Sequence, residues 1–244
     1  MEKGVQNYWK YPIFAKRKFQ KFYLLMKLLK NRVPGYDKIK NIIFDFGGVI
    51  CDLDITRTEK KFREFGPVKS ADTPASENSL HFDILVEQFE KGAISSPDFR
   101  EIIRNHYLVP PTDAAIDDTW NALLVGIPEQ RLQLLEDIRN QYRIFLLSNS
   151  NEIHYLHYLQ EFRTKTGFQD FQDLFEKAYF SFMIHLSKPG KDVFNFVLKE
   201  SRIDPAETLF IDDTLKHIET ARSLGINGYH LDIQNGEQVT DLFD

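Results

Sequence analysis

Four places along the chain set a charged or hydroxyl side chain directly beside an apolar run. Asp45 follows NIIF (41–44), Ser148-Asn149 follow YRIFLL (142–147) and Asp212-Asp213 follow TLFI (208–211). Lys188 stands before Pro189 and a stretch of helical apolar spacing. A rim that gathered these groups would hold three carboxylates, a hydroxyl and an ammonium. Three acids in one place repel one another unless a cation lies between them. All-oxygen ligation suits Mg²⁺, which keeps several waters and often shares a phosphate. With that metal present, one carboxylate can attack phosphorus and form an aspartyl-phosphate. The lysine and the serine hydroxyl would stabilise the charge on the transferring group. In isolation, Asp212-Asp213 reads equally well as a turn with a helix cap, because Asp favours both.

The elements that must position these groups follow from periodicity. Short apolar runs at 41–46, 142–147, 178–182, 208–211 and 228–231 read as buried strands. A helix opened by Pro189 shows Val193, Phe194, Val197 and Leu198 on one face. Another carries Ile218, Ala221 and Leu224 and is stopped by Gly225. Strand–helix alternation predicts an α/β fold, a doubly wound parallel sheet covered on both faces. Ligands of such sheets bind at the carboxyl ends of the strands. Between the first two strands, apolar residues around 84–89, 99–106 and 119–125 recur at three- and four-residue spacings, so this stretch reads as an inserted helical cap. The expected organisation is a basic extension over 1–40, an α/β core over 41–55 and 136–244, and a cap over 56–135.

A hydrophobic content of 42% supports a sizeable core. The single cysteine, Cys51, can form no internal disulfide and suits a reducing compartment. No run approaches the roughly 18 apolar residues of a membrane span. The apolar stretch 22–29 is broken by Lys27 and is too short for a secretory signal, which points to the cytoplasm. Charge is divided unevenly: residues 1–40 hold 11 Lys/Arg against 2 Asp/Glu, the remainder 20 against 34. A basic, aromatic arm of this kind suits an anionic membrane surface or a protein partner. The preferred reading is a helix packed on its own acidic body, its basic residues solvated. That acidic body argues against nucleic acid as a ligand.

The segments FDFGGV (44–49), LLSNSN (146–151), SKP (187–189) and LFIDD (209–213) resemble, in order, the four motifs of the haloacid dehalogenase superfamily. The resemblance covers roughly 41–244. It implies a Mg²⁺-dependent phosphatase acting on a small phosphorylated metabolite, with Asp45 as nucleophile and metal ligand. Ser148, with Asn149 beside it, matches the phosphate-binding hydroxyl. Lys188 matches the lysine that neutralises phosphate and nucleophile. Asp212, Asp213 and the backbone carbonyl of Gly47 complete the implied metal site. Within the superfamily, the DxGxV pattern, SNxN with His154, and FEKGAIS (89–95) look like the alpha-D-glucose-1-phosphate phosphatase group, which implies a sugar 1-phosphate.

One departure stands out. Most phosphatases of the superfamily carry a second Asp two residues after the nucleophile, and it moves the leaving-group proton; here that residue is Gly47, which cannot. Three readings follow. A phosphatase with an acidic leaving group, such as an anomeric hydroxyl, needs less protonation. A dehalogenase proper needs no metal, which Asp212-Asp213 argue against. A catalytically weak or inactive phosphate-binding or scaffold member is the third. A phosphomutase is disfavoured, since it would need the missing acid repeatedly. Asp52 and Asp54 in the flap either replace that acid or serve flap structure, and the second reading is preferred. His81, Phe82 and Glu90 are cap residues that either face substrate or belong to ordinary helix surface and core. His154 either touches substrate or packs. His185 belongs to HLSKP (185–189), where related sequences often have G-x-R-K-P. His217 reads as a surface histidine in preference to one that tunes the metal site.

Overall fold

The computed structural model describes residues 33, 36–69 and 75–243, with backbone alone for 75–81. The basic arm over 1–32 and the side chain of His81 therefore lie outside the described residues.

The chain runs β1 (Asn41–Phe44), β2 (Asp52–Leu53), α1 (Ile55–Glu64), α2 (Ala75–Glu90), α3 (Ser96–His106), α4 (Asp113–Asn121), β3 (Leu124–Gly126) and α5 (Glu129–Ile138). It continues with β4 (Arg143–Ser148), α6 (Glu152–Thr166), β5 (Lys177–Phe180), α7 (Ser181–Ile184), α8 (Lys191–Ser201), β6 (Thr208–Asp212), α9 (Leu215–Ser223) and β7 (Asn227–His230). Five strands form one parallel sheet in the order β5-β4-β1-β6-β7. Every residue of β1 is buried, as a central strand with two covered faces requires. Its side chains are sorted by the two-residue pleat. Ile42 and Phe44 join Ile144, Leu146, Leu209 and Ile211 on one face. Ile43 joins Phe145, Leu147 and Phe210 on the other, against Val193, Phe194 and Ile218. The chain winds from β1 outward to β4 and β5, then returns to build β6 and β7 on the opposite side. The carboxyl ends of β4, β1 and β6 therefore frame the reversal point of the sheet, where a doubly wound fold opens a crevice.

The insert has its own core. Leu85, Phe89, Phe99, Ile103, Tyr107, Ile116 and Trp120 cluster with Ile153 of α6. Phe89 and Phe99 stack at 4.3 Å. The helix expected through 119–125 instead ends at Asn121. Residues Leu124–Gly126 then leave as an extended strand, pairing antiparallel with Asp52–Leu53. This ribbon joins the two units, and its hydrogen bonds reward extension where the apolar spacing alone suggested helix. An insert ending at 135 would also cut α5, whose Leu132, Leu134, Leu135 and Ile138 pack in the sheet core. On packing, we take the cap as Ile55–Asn121, bounded by β2 and β3. At the other boundary, Val33 and Ile39 are buried in that same core and Lys40 pairs with Glu207. The body of the molecule thus begins before residue 41.

Candidate active site

Each strand delivers its group at its carboxyl end. Asp45 follows β1 and is fixed from both sides: its N–H donates to Ile211 O at 2.9 Å, and its Oδ1 accepts from Phe46 N at 2.6 Å. Asp212 ends β6 and is fully buried. Thr214 N donates to its Oδ1 at 2.8 Å. Lys188, itself only 3% exposed, is held at a cis Lys188–Pro189 bond. Its Nζ reaches Asp45 Oδ1 at 2.8 Å and Asp212 Oδ2 at 2.7 Å. Asn149 fixes the lysine backbone in both directions. Its Nδ2 donates to Lys188 O at 2.9 Å, and its Oδ1 accepts from Lys188 N at 3.0 Å. Asn149 thus acts on Lys188 rather than standing free beside the hydroxyl. Ser148 is buried at the end of β4, beside β1. Its hydroxyl makes one long contact, to Asn149 O at 3.4 Å.

The loop after Asp45 is a tight turn in which Ile50 N and Cys51 N both donate to Phe46 O at 2.8 Å. Gly48 adopts φ +73°, a left-handed conformation that favours glycine. A Cβ there would lie 2.3 Å from Asp213 Oδ2, so the missing side chain makes room for that carboxylate. Gly47 lies between these points in the same turn.

The electrostatics show an excess of negative charge. Burial pushes the Asp45 carboxyl well up, and Asp212 and Asp213 push it further, against the opposing pull of Lys188. Asp213 is raised by burial and by Asp212. Burial would also raise Asp212, but Lys188 and His217 outweigh it and hold that carboxyl low. Lys188 is raised: burial disfavours its charge, and Asp45 and Asp212 more than restore it. One ammonium cannot satisfy three acids. A cation-sized donor set is present as well, since ligand atoms of Asp45, Asp212 and His217 lie within 4.8 Å of one another. Carboxylate oxygens in excess of their positive partners suit a hard divalent cation.

His217 is the residue the sequence undervalued. Instead of a surface histidine, it is half-buried with Nδ1 at 3.0 Å from both oxygens of Asp212. The one signal was its place on the helix that follows the acidic pair. Asp52 pairs with the buried Arg131 at 2.7 Å, and Asp54 caps α1 by accepting from Thr56 N at 3.1 Å. Both serve flap structure. His154 stacks on Trp120 at 5.0 Å and bonds Asn121 Oδ1 at 2.9 Å. Burial lowers it to about 3, so it is a neutral packing residue. Phe82 meets Phe62 and Trp120 edge-on within the cap. Glu90 does face the site. It lines a cavity of about 560 Å³ with Glu87, Lys91, Asn149, Lys188 and Lys216.

Known proteins resemble this chain in sequence and in fold. The model of the haloacid dehalogenase-like hydrolase family matches residues 39–225. D-ribitol-5-phosphate phosphatase of Bacteroides thetaiotaomicron is 28% identical over 195 residues, spanning 78% of this chain and 91% of that enzyme. A solved haloacid dehalogenase family enzyme of the same organism superposes with a TM-score of 0.76 at 36% identity, over 84% of this chain and 98% of its own. Its complex with magnesium and inorganic phosphate gives 0.71 at 35% identity, over 84% and 100%. With the sheet, the cap and the matched segment in agreement, the chain belongs to the haloacid dehalogenase-like hydrolase family.

Proposed function

We propose that the protein is a magnesium-dependent phosphatase that hydrolyses a small phosphomonoester through an aspartyl-phosphate on Asp45. The observation that carries this reading is Lys188 Nζ held between Asp45 and Asp212 at 2.8 and 2.7 Å. A buried ammonium touching the nucleophile is poised to meet a phosphoryl oxygen arriving at the same place. The excess of carboxylate oxygens fits Mg²⁺, and Asp45, Asp212, Asp213 and the carbonyl of Gly47 are the residues that would hold it. Bound there, Mg²⁺ would neutralise excess charge and polarise the phosphoryl oxygens. His217 positions Asp212 through its ring nitrogen. In the first step Asp45 attacks phosphorus and the phosphorus–oxygen bond to the leaving group breaks. Ser148 and Lys188 bind the transferring phosphoryl group, and water then cleaves the aspartyl-phosphate.

The substrate we favour is a polyol or sugar phosphate. A cavity of about 560 Å³ lined by charged groups suits a hydroxylated molecule better than an apolar one. The similarity to a D-ribitol-5-phosphate phosphatase supports a five-carbon polyol phosphate. The motif resemblance to glucose-1-phosphate phosphatases supports an anomeric phosphate. The test is phosphate release from ribitol 5-phosphate, sugar 1-phosphates and sugar 6-phosphates, each with Mg²⁺ and with EDTA. Turnover that needs Mg²⁺ and disappears in Asp45→Asn is expected. Undiminished turnover in Asp45→Asn would sink the mechanism.

A further inference from the structure

Resting on that phosphatase reading, we infer that Glu90 of the cap is the acid–base group that Gly47 cannot be. Its carboxyl gives a proton to the leaving oxygen as the phosphorus–oxygen bond breaks, so the product departs as a neutral alcohol. The resulting carboxylate then takes a proton from the water that attacks phosphorus. The bond to Asp45 breaks in that second step, restoring the Asp45 carboxylate, releasing phosphate and returning Glu90 to its acid form.

The other titratable groups of this region are already committed. Asp52 is held by Arg131 and Asp54 by its own helix. His217 bonds Asp212, and His154 is stacked beneath Trp120. Glu87 pairs with Lys91 at 2.6 Å, and Asp192 accepts from Val193 N at 3.0 Å. Among the described residues, the Glu90 carboxyl has no hydrogen bond or ion pair, yet it lines the same cavity as Lys188.

Its position is also fixed relative to the phosphate site. Ser181 Oγ donates to Glu90 O at 2.5 Å and accepts from Ser150 N at 2.9 Å. Ser150 lies two residues past Ser148, so one hydroxyl ties the end of α2 to the loop that follows the proposed phosphate-binding hydroxyl. His185 Nδ1 meets Lys91 O at 2.9 Å, in a second tie between cap and core. Gly92, at φ +65°, fits against Phe182 O, where a Cβ would sit at 2.4 Å. The left-handed His185 and the packed Gly92 thus both serve the docking of this helix end.

Burial pushes the Glu90 carboxyl up to about 7, with Glu87 adding to the shift and Lys188 opposing it. Lys91, His185, Asp192 and Lys216 also face this cavity. A carboxyl near 7 is partly protonated at neutral pH and can run in both directions.

The experiment compares wild type, Glu90→Gln and Asp45→Asn, full length with Mg²⁺, on p-nitrophenyl phosphate and on ribitol 5-phosphate in rapid-mixing kinetics. Nitrophenolate leaves without a proton, whereas the alkoxide of ribitol requires one. Glu90→Gln is expected to give a nitrophenolate burst at wild-type rate, slow steady turnover and a trapped phosphoenzyme. On ribitol 5-phosphate its first step should fall by about 10²–10⁴-fold. A first step slowed equally on both substrates, or slowed on neither, would overturn the role of Glu90. Turnover by Asp45→Asn would instead overturn the phosphatase mechanism itself, so the two failures are distinguishable.

Discussion

The adjacent glycines after Asp45 should respond differently to one methyl group. At Gly48 two costs combine. The backbone sits at φ +73°, and the new Cβ would fall 2.3 Å from Asp213 Oδ2 and 2.8 Å from its Cγ. A left-handed conformation costs an L-residue about 1–2 kcal/mol. At roughly 2–4 °C per kcal/mol for a chain of this size, Gly48→Ala should lower Tm by about 2–8 °C. The larger effect is on the site. To clear the methyl, Asp213 must swing away by about 1 Å, a displacement that can cost around 10²-fold in rate. At Gly47 the same methyl meets only Leu53 Cδ1 at 2.8 Å, the tip of a half-exposed side chain that can rotate aside. Gly47→Ala should therefore stay within about 1 kcal/mol of wild type and retain its activity. Thermal unfolding with and without Mg²⁺, together with steady-state rates, separates the two. The magnesium-induced rise in Tm should shrink in Gly48→Ala and persist in Gly47→Ala. Wild-type behaviour from Gly48→Ala, or the larger defect in Gly47→Ala, would refute the packing of Asp213 against this turn.

Lys188→Met leaves Asp45 and Asp212 buried without their ammonium, and should cost about 3–5 kcal/mol at neutral pH and about 10²–10³ in kcat. Lys188 holds the folded-state pKa of Asp212 low, a contribution present above the usual carboxylate range and lost in acid. Urea melts should therefore show the deficit of Lys188→Met holding down to about pH 4 and narrowing below it, and a deficit that stays constant below about pH 4 would contradict the ion-pair account. His154 is depressed to about 3 from its usual 6.5, so its contribution to stability is present above 6.5 and is lost as pH falls toward 3. His154→Phe, which keeps a ring against Trp120, should show a flatter acid limb between pH 6.5 and 4, and an unchanged limb would place the titrating group elsewhere. Asp52→Asn should leave the ratio of ribitol 5-phosphate to p-nitrophenyl phosphate rates intact, and collapse of that ratio would make Asp52 the proton donor.

The strands were readable because each obeys a local rule. NIIF and TLFI are continuous apolar runs, and only a sheet buried on both faces places Ile42 and Ile43 in different cores. The place of the candidate site groups was readable because a parallel sheet puts its strand ends on one rim, so Asp45, Ser148 and Asp212 converge whatever the loops do. What escaped depends on contacts between distant segments. Leu124–Gly126 is a strand because Asp52–Leu53 lies beside it, a pairing across more than seventy residues that no window of apolar spacing encodes. His217 looked like surface because its helix is amphipathic, yet a polar position on the first helical turn after Asp212 is close enough to bond that carboxylate.

Glu90 combines both cases, and its placement explains why the missing acid left no local trace. It follows Phe89, which is 2% exposed in the cap core, so the helical turn of about 100° per residue rotates the next side chain from the cap interior toward the sheet. That rotation was available from the sequence. The partner was not, because Ser181, whose hydroxyl fixes the helix end, lies ninety-one residues away. A group on the nucleophile's own strand is positioned by the sheet alone, whereas a group on the cap is positioned only while the cap is docked. If Glu90 moves the proton, catalysis is conditional on the contacts of Ser181 and His185 with α2. Ser181→Ala should then slow the alkyl phosphate more than the nitrophenyl ester, although Ser181 lies on neither reacting group. Equal slowing of both substrates would show that the clamp supports the fold and not the proton transfer.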